Sequence, residues 1–302
     1  MRYVLTLVAP RAAASSLSGA APSGAALSGA LVARLRTALQ AGPPDVLSPG
    51  EAVDLPLEAV PDPATLHAAL EGAPVDAIVT TTAERRKRLL VADMDSTIVT
   101  GETLDELADF AGLKPKIAAI TARAMNGELD FKAALRERVA MLAGLPVDAL
   151  ERTWQRVRLT PGARELVATM RANGARTALV SGGFSFFTAR VAAQCGFDLH
   201  RSNVLLDDGT ALTGLVAEPI LDRDTKLHML TSLAAELGLP EAATLAVGDG
   251  ANDLDMLRAA GLGVAFHAKP VVAASARARV DHGDLRALLF AQGYRAQEIV
   301  TG

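Results

Sequence analysis

The chain has 302 residues, 50% of them apolar and 21% charged, which suits a globular protein of about two domains with a sizeable core. A net charge of −4 and an aromatic content of 4% disfavour nucleic-acid partners, which need a basic surface and stacking rings. Cys195 is the single cysteine, so no intrachain disulfide forms, and the five histidines include no pair at ligand spacing.

The N-terminal apolar run at residues 3–9 is too short to cross a membrane or to form a secretory signal. We therefore expect a cytoplasmic protein with no membrane partner. Residues 12–29, rich in Ala, Ser and Gly, are compatible with a loop or with the weak start of a helix.

The first 85 residues predict a small α+β domain. Apolar periodicity indicates strands at 3–9, 52–57 and 75–79, with helices at 31–39 and 63–70. No motif in this part carries chemistry of its own. The basic run from Glu84 to Arg88 then predicts a solvated domain junction rather than a nucleic-acid contact.

Residues 86–302 predict an α/β catalytic domain built on a doubly wound parallel sheet. Short apolar runs mark candidate core strands at 89–92, 176–180, 244–247 and 263–266. Residues of about 101–160 have helical periodicity and no strand signal, and a structureless loop of that length is rare. They predict a helical cap inserted after the first strand. Residues 203–218, split by Asp207-Asp208-Gly209, predict a β-hairpin.

Two carboxylates follow the first strand of this domain. Asp93 and Asp95 come directly after four apolar residues, and a spacing of two places both side chains on one side of an extended backbone. Acids crowded in this way repel each other, so a cation is expected beside them. Mg2+ is the simplest candidate, because it prefers carboxylates together with waters and phosphate. An Asp-rich turn that merely ends a strand is the alternative.

Two further strands end in reactive groups, and the carboxyl ends of parallel strands meet at one edge of a sheet. Ser181-Gly182-Gly183 offers a hydroxyl and accessible backbone amides, although it is also compatible with a plain tight turn. Gly248 to Asp253 adds two acids and an amide, and Lys226 can reach the same edge from a predicted helix. Together these groups suit phosphoryl transfer, with one carboxylate as nucleophile and a second as general acid and base.

These motifs, in this order, resemble the haloacid dehalogenase-like phosphatases. The cap is similar to that of the phosphoserine phosphatase family within them. The resemblance covers residues 89 to about 294 and rests on Asp93–Val99 with Glu102, Met125–Phe131, Leu135–Val139, Ser181–Phe184, Lys226 and Gly248–Asp253. Residues 1–85 resemble more loosely the regulatory-type N-terminal module of longer members.

The resemblance implies that O-phosphoserine is hydrolysed to serine and phosphate through an aspartyl-phosphate, the last step of serine biosynthesis. Asp93 would be the nucleophile and Asp95 the general acid and base. The implied metal ligands are Asp93, the Asp95 carbonyl and Asp249, with Asp253 supporting them. The implied substrate-binding residues are Glu102, Met125, Phe131, Arg138, Ser181, Gly182, Lys226 and Asn252. Phe131 and Arg138 are seven residues apart, so on one helix they share a face.

Three alternatives stay open. The same nucleophile would serve a phosphomutase or another phosphotransferase, or a phosphatase acting on a different small phosphorylated metabolite. The chain could instead be mainly a ligand sensor, with an amino-acid effector bound to the N-terminal domain. The sequence does not decide whether the chain forms a homodimer.

Overall fold

The N-terminal part of the chain forms a four-stranded antiparallel sheet with two helices. A computed structural model describes residues 2–11, 27–125 and 130–301. The elements here are β1 (Tyr3–Val8), α1 (Gly29–Ala38), β2 (Asp45–Ser48), β3 (Ala52–Leu57), α2 (Pro63–Leu70) and β4 (Asp76–Thr81), and the sheet order is β2-β3-β1-β4. The predicted loop or helix start at 12–29 lies largely outside the described residues.

Strand β2 was not predicted. Its four residues include only two apolar ones, Val46 and Leu47, which is too short a run for a period-2 signal. Pairing with β3 supplies its order, since Val46 lies opposite Val53 in antiparallel register. Tertiary hydrogen bonding therefore creates a strand that local sequence does not announce.

The second part of the chain contains a six-stranded parallel sheet, which confirms the predicted α/β fold. Its strands are β5 (Leu89–Ala92), β6 (Arg176–Phe184), β7 (Leu199–Asn203), β10 (Thr244–Gly248), β11 (Leu262–Phe266) and β12 (Ala278–Val280), in the order β12-β11-β10-β5-β6-β7. All of its neighbouring strands run parallel. Strand β5 is central, and its four apolar residues are fully buried. Sheet-flanking helices are α7 (Ala163–Ala172), α8 (Ser185–Cys195), α9 (Arg223–Glu236), α10 (Leu254–Ala259), α11 (Pro270–Ala273) and α12 (Ala287–Ala291).

A helical cap stands between β5 and β6, as the sequence predicts. It consists of α3 (Thr103–Phe110), α4 (Lys114–Met125), α5 (Phe131–Ala140) and α6 (Asp148–Trp154). The predicted hairpin forms from β8 (Leu205–Asp207) and β9 (Leu212–Val216), and an isolated bridge from Pro146 to Ala211 ties it to the cap.

Side-chain caps fix where the two site-bearing helices begin. The Asp130 carboxylate accepts hydrogen bonds from the backbone N–H groups of Lys132 and Ala133 at the start of α5. Asp222 and Thr225 form a reciprocal capping box at the start of α9. Such caps satisfy amides that have no partner inside the helix. They therefore set the register of the residues that α5 and α9 present to the sheet edge.

The expectation of a solvated basic junction is wrong for two of its residues. Arg85 reaches back to the first sheet, where its guanidinium forms two hydrogen bonds with the Asp54 carboxylate at 2.7 and 2.8 Å and a third to the carbonyl of Ala291 at 3.0 Å. Lys87 is 5% exposed, and its Nζ donates to the carbonyls of Glu84 and Ala242 at 2.7 Å. The run instead joins the two sheets.

In the described part of the chain, no helix combines the length and the apolar character needed to span a bilayer. The division of the chain at about residue 85 stays a prediction.

Candidate active site

Asp93 and Asp95 leave β5 at the carboxyl edge of the sheet and line one cleft there. The chain turns sharply over residues 94–98, where Ser96 takes a left-handed φ of 54°. Left-handed backbone at a residue other than glycine is uncommon and often marks a functional turn. The Ser96 hydroxyl donates to Glu102 Oε1 at 2.8 Å, so this turn also orients the first acid of the cap.

Lys226 enters from α9 and contacts two acids. Its Nζ lies 2.8 Å from Asp93 Oδ1 and 2.7 Å from Asp253 Oδ1, and all three side chains are buried. Burial alone would lower the pKa of Lys226, but the charges of Asp253 and Asp93 outweigh it and raise that pKa above its ordinary value. The lysine is therefore held as an ammonium. Burial, and next the charge of Asp253, raise the pKa of Asp93 well above its usual range, while Lys226 opposes them.

Three carboxylates gather closely enough to share one cation. Oxygens of Asp93, Asp249 and Asp253 all lie within 4.8 Å of one another. Burial, and next the charge of Asp253, raise the pKa of Asp249 to about 6, with Lys269 acting against them. Hard divalent cations prefer carboxylate oxygens, so this donor set fits such an ion. Asp253 already accepts hydrogen bonds from Lys226 and from the Gly250 N–H at 3.0 Å, which leaves Asp93 and Asp249 as the more available acids.

Asp95 is held for a different task. Its Oδ1 accepts a hydrogen bond from the Thr103 N–H at 2.8 Å, and its Oδ2 accepts one from the Ser181 hydroxyl at 3.1 Å. Burial, and next the charge of Glu102, raise the pKa of Asp95 to about 6. A carboxyl with that pKa populates both protonation states near neutral pH, as a general acid and base requires.

The Ser181–Gly183 segment at the end of β6 borders the same cleft. The Gly183 N–H donates to the Ser181 hydroxyl oxygen at 2.8 Å. A Cβ on Gly183 would lie 2.9 Å from Asp95 Oδ2, so no larger residue fits beside that carboxylate. A Cβ on Gly182 would lie 3.3 Å from the ring of Phe131, which shows that the cap closes directly over this glycine.

The cap brings two opposite charges to the cleft, whose volume is about 130 Å³. Glu102 precedes α3 and Arg138 lies on α5, and both line the cleft with Phe131. Burial lowers the pKa of Arg138, and the charges of Asp105 and Glu102 oppose it. Among the described residues, its guanidinium donates only to the Ala134 carbonyl at 3.2 Å. The volume suits a small metabolite, well below the several hundred Å³ typical of drug-sized ligands.

The structure brings most of the predicted site residues to this one cleft. Its lining includes Asp93, Asp95, Glu102, Phe131, Arg138, Ser181, Gly182, Asp249 and Asn252. Lys226 lies behind it in contact with Asp93, and Asp253 in turn contacts Lys226. Met125 is the last residue of α4, and its side chain lies outside what the structure describes.

Lys269 also lines the cleft and was not predicted. Its Nζ lies 3.9 Å from Asp249 Oδ2, and its side chain is half exposed. It follows β11, the strand next to β10, so its position after the carboxyl end of a parallel strand was the signal that could have found it.

A capped parallel sheet that collects acids, a hydroxyl and a lysine at its carboxyl edge defines an α/β domain suited to phosphoryl chemistry. The model of the haloacid dehalogenase-like hydrolases matches residues 90–258, and the chain belongs to this family.

The relatives of this chain have a more specific name than the family. The phosphoserine phosphatase of Streptomyces coelicolor is 45% identical over 215 residues, 71% of this chain and 52% of that protein. The phosphoserine phosphatase of Albidiferax ferrireducens is 47% identical over 208 residues, 67% of this chain and 88% of that protein. The crystal structure of a probable phosphoserine phosphatase from Vibrio cholerae has a TM-score of 0.76 at 32% identity, covering 97% of this chain and 88% of that one. This chain spans about half the length of three curated relatives, the Streptomyces protein among them.

Proposed function

We propose that this chain is a Mg2+-dependent phosphatase that hydrolyses O-phosphoserine to serine and phosphate. One observation carries the proposal: a single small cleft is lined by Asp93 and Ser181 from the sheet edge and by Glu102 and Arg138 from the cap. The sheet supplies groups for a phosphoryl group, and the cap supplies one negative and one positive charge for the rest of the substrate. The names of the relatives support the same substrate.

The proposed metal ligands are Asp93, the backbone carbonyl of Asp95 and Asp249. A bound Mg2+ would neutralise phosphoryl charge and help to place the phosphorus against Asp93. Burial raises the pKa of Asp93 and of Asp249, and a cation bound between them would stabilise both carboxylates in the ionised form. The Lys226 ammonium balances part of the negative charge of Asp93 and Asp253.

In the first proposed step, Asp93 Oδ2, the free oxygen of this carboxylate, attacks phosphorus, because Oδ1 already accepts hydrogen bonds from Lys226 and from the Met94 N–H. No hydrogen bond from the described residues occupies Oδ2. The bond between phosphorus and the serine oxygen breaks as Asp95 gives its proton to that oxygen. The products are serine and an aspartyl-phosphate on Asp93. Ser181 and the Gly182 amide would hold the phosphoryl oxygens.

In the second proposed step, water attacks the phosphorus of the aspartyl-phosphate. Asp95, now ionised, takes a proton from that water, and the bond between phosphorus and Asp93 breaks to release phosphate. The pKa of about 6 suits Asp95 to both steps, since it can lose and regain a proton near neutral pH. The Thr103 N–H holds its carboxyl in place in both steps, and the Ser181 hydroxyl does so until it turns to the phosphoryl group.

Substrate selection is proposed to depend on the two charges from the cap. Glu102 would face the ammonium of the substrate and Arg138 its carboxylate, so a small zwitterion would satisfy both. Phe131 would cover the apolar side over Gly182. A cytoplasmic location, a homodimer and an amino-acid effector on the N-terminal domain remain predictions.

The test compares phosphate release from O-phosphoserine with release from two analogues, phosphoethanolamine, which lacks the carboxylate, and the phosphate ester of 3-hydroxypropionate, which lacks the ammonium. We expect kcat/KM to be at least about tenfold lower for each analogue, because one charged group of the cleft, Glu102 or Arg138, is left without its partner. EDTA should abolish turnover, and Mg2+ should restore it. Equal rates for the three esters would contradict the proposed selection.

Asp93→Asn tests the nucleophile. Turnover should fall at least about a thousandfold while the far-UV circular dichroism stays unchanged, because the amide is isosteric but does not attack phosphorus. Asp148→Asn, on the exposed face of α6, is the matched control and should keep wild-type activity.

Added alcohols and sugars test the alternative of a phosphotransferase. Phosphorylated acceptors forming faster than free phosphate would favour that class.

A further inference from the structure

Asn203, at the end of β7, makes two buried hydrogen bonds that connect separate parts of the cleft. Its side chain is 2% exposed. The amide Nδ2 donates to the Gly182 carbonyl at 2.8 Å, and Oδ1 accepts from the Leu221 N–H at 2.8 Å. Both ends of the amide are therefore used, and the residue is fixed between two segments that sequence separates.

The first of these contacts is one of two hydrogen bonds that hold a single peptide unit. In the peptide between Gly182 and Gly183, the carbonyl accepts a hydrogen bond from Asn203 Nδ2, and the N–H donates to the Ser181 hydroxyl oxygen at 2.8 Å. Because the Ser181 oxygen accepts from Gly183, its own proton is directed away from that peptide. That proton points at Asp95 Oδ2, 3.1 Å from the serine oxygen.

Such a clamp matters because both residues of this peptide are glycines, whose backbone rotates at little steric cost. If the peptide turned over, the Gly182 carbonyl would swing from Asn203 toward the cleft and repel a phosphoryl oxygen. The Gly183 N–H would also leave Ser181, and the serine proton would lose its fixed direction. Hydrogen bonds at both ends of the peptide keep this rearrangement unfavourable.

The second contact reaches the lysine helix. Leu221 immediately precedes Asp222, the residue that caps α9, and α9 carries Lys226 one turn further on. Asn203 thus ties the Ser181–Gly183 segment to the start of the helix that holds Asp93 through Lys226. One side chain therefore links the segment that would contact the phosphoryl group to the helix whose lysine holds Asp93.

We propose that Asn203 is a positioning residue that acts through Ser181, fixing the serine hydroxyl toward the phosphoryl group and Asp95. This inference rests on the proposed phosphatase function of the same cleft. Among the described residues, the hydrogen bonds of the Asn203 side chain go to Gly182 and Leu221, not to Asp93 or Asp95. Its effect should therefore appear in turnover, where the aim of the serine proton matters, more than in substrate affinity.

Asn203→Asp is the sharpest variant, since it keeps the acceptor for Leu221 and removes the donor to Gly182. We expect kcat to fall about ten- to a hundredfold, with KM changed less than about threefold. Asn203→Ala is measured beside it, in case a carboxylate facing the Gly182 carbonyl prevents folding, and should lower kcat in the same way. Ser202→Ala is the matched control on the same strand, where the hydroxyl pairs with Thr188 at 2.7 Å, and should leave kcat within about twofold.

A double-mutant cycle with Ser181→Ala separates positioning from a merely structural role. If Asn203 acts through the serine hydroxyl, Asn203→Asp should cost less than about threefold in the Ser181→Ala background. An equal loss in both backgrounds, or wild-type kcat in both folded Asn203 variants, would overturn the proposal.

The cycle is run with p-nitrophenyl phosphate as well as O-phosphoserine, and the affinity for inorganic phosphate with Mg2+ is measured by calorimetry. A wild-type protein that cleaves only p-nitrophenyl phosphate contradicts the proposed substrate. The cycle on that ester then still decides the role of Asn203.

Discussion

Lys226 Nζ lies 2.8 Å from Asp93 Oδ1, and this buried contact gives the acidic cluster its internal cation. Lys226→Met would leave Asp93 and Asp253 buried without it, and removal of one member of a buried ion pair costs about 3 kcal/mol or more. We expect the metal-free protein to lose about that much unfolding free energy. Saturating Mg2+ should recover part of the loss, because it neutralises the same carboxylates.

Thermal or urea unfolding with EDTA and with Mg2+ measures this difference. Lys269→Met is the control, because Lys269 is half exposed and lies 3.9 Å from Asp249, so its loss should cost less than about 1 kcal/mol. Equal destabilisation by the two substitutions would contradict an internal cation at Lys226.

Arg138 and Arg136 allow a matched comparison on one helix. Arg138 lines the cleft, whereas Arg136 points outward and pairs with Glu218 at 2.6 Å. Arg138→Ala should raise KM for O-phosphoserine about ten- to a hundredfold with a smaller effect on kcat, and Arg136→Ala should change neither beyond twofold. With phosphoethanolamine, which has no carboxylate, Arg138→Ala should carry almost no further penalty. Steady-state kinetics on the two esters checks this, and a penalty of the same size on both would argue against a carboxylate contact.

The metal-free protein should become more stable as the pH is lowered from 7 to 5. Burial, with the charges of Glu102 and Asp253 respectively, raises the pKa of Asp95 and of Asp249 to about 6, above the value of 3.8 for an unperturbed aspartate. Between these values the folded state binds protons that the unfolded chain does not, so stability is present at the lower pH and is lost as the pH rises through 6.

Melting temperatures in EDTA at pH 5 and pH 7 test this, and they should be higher at pH 5. Asp249→Asn should reduce the difference, because one of the titrating groups is gone. Saturating Mg2+ should reduce it too, since the cation favours the ionised carboxylates. A metal-free protein that is more stable at pH 7 than at pH 5 would show that the acids are already stabilised in the ionised form.

The sequence predicted four of the six strands of the parallel sheet, all but β7 and β12, and most of the polar groups at its edge, because these depend on local order. Four consecutive apolar residues define β5, and the position of Asp93 directly after it does not depend on the rest of the fold. Features created by distant pairing were harder to predict. β12 has only three residues, and Asn203 looks like an ordinary turn residue until Gly182 and Leu221 are placed beside it.

The prediction for the basic run at residues 84–88 was wrong for the same reason. Nothing local distinguishes Arg85, which pairs with an aspartate 31 residues earlier, from Arg88, which stays exposed next to Glu84. Alternation along an extended segment places Arg85 and Lys87 inward and their neighbours outward, but it does so only once the two sheets are packed together.

Arg85 therefore offers a test of how the two sheets are joined. Its guanidinium forms a bidentate contact with Asp54 and also donates to Thr6 at 3.0 Å. Arg85→Ala would leave the buried Asp54 carboxylate without a counter-charge, and we expect a loss of about 3 kcal/mol in unfolding free energy. Arg88→Ala, whose side chain is half exposed and 3.9 Å from Glu84, should cost less than about 0.5 kcal/mol. Urea unfolding measures both, and Asp54→Asn in the Arg85→Ala background should recover part of the loss by removing the unpaired charge. Similar stability of Arg85→Ala and Arg88→Ala would mean that the ion pair contributes little to holding the sheets together.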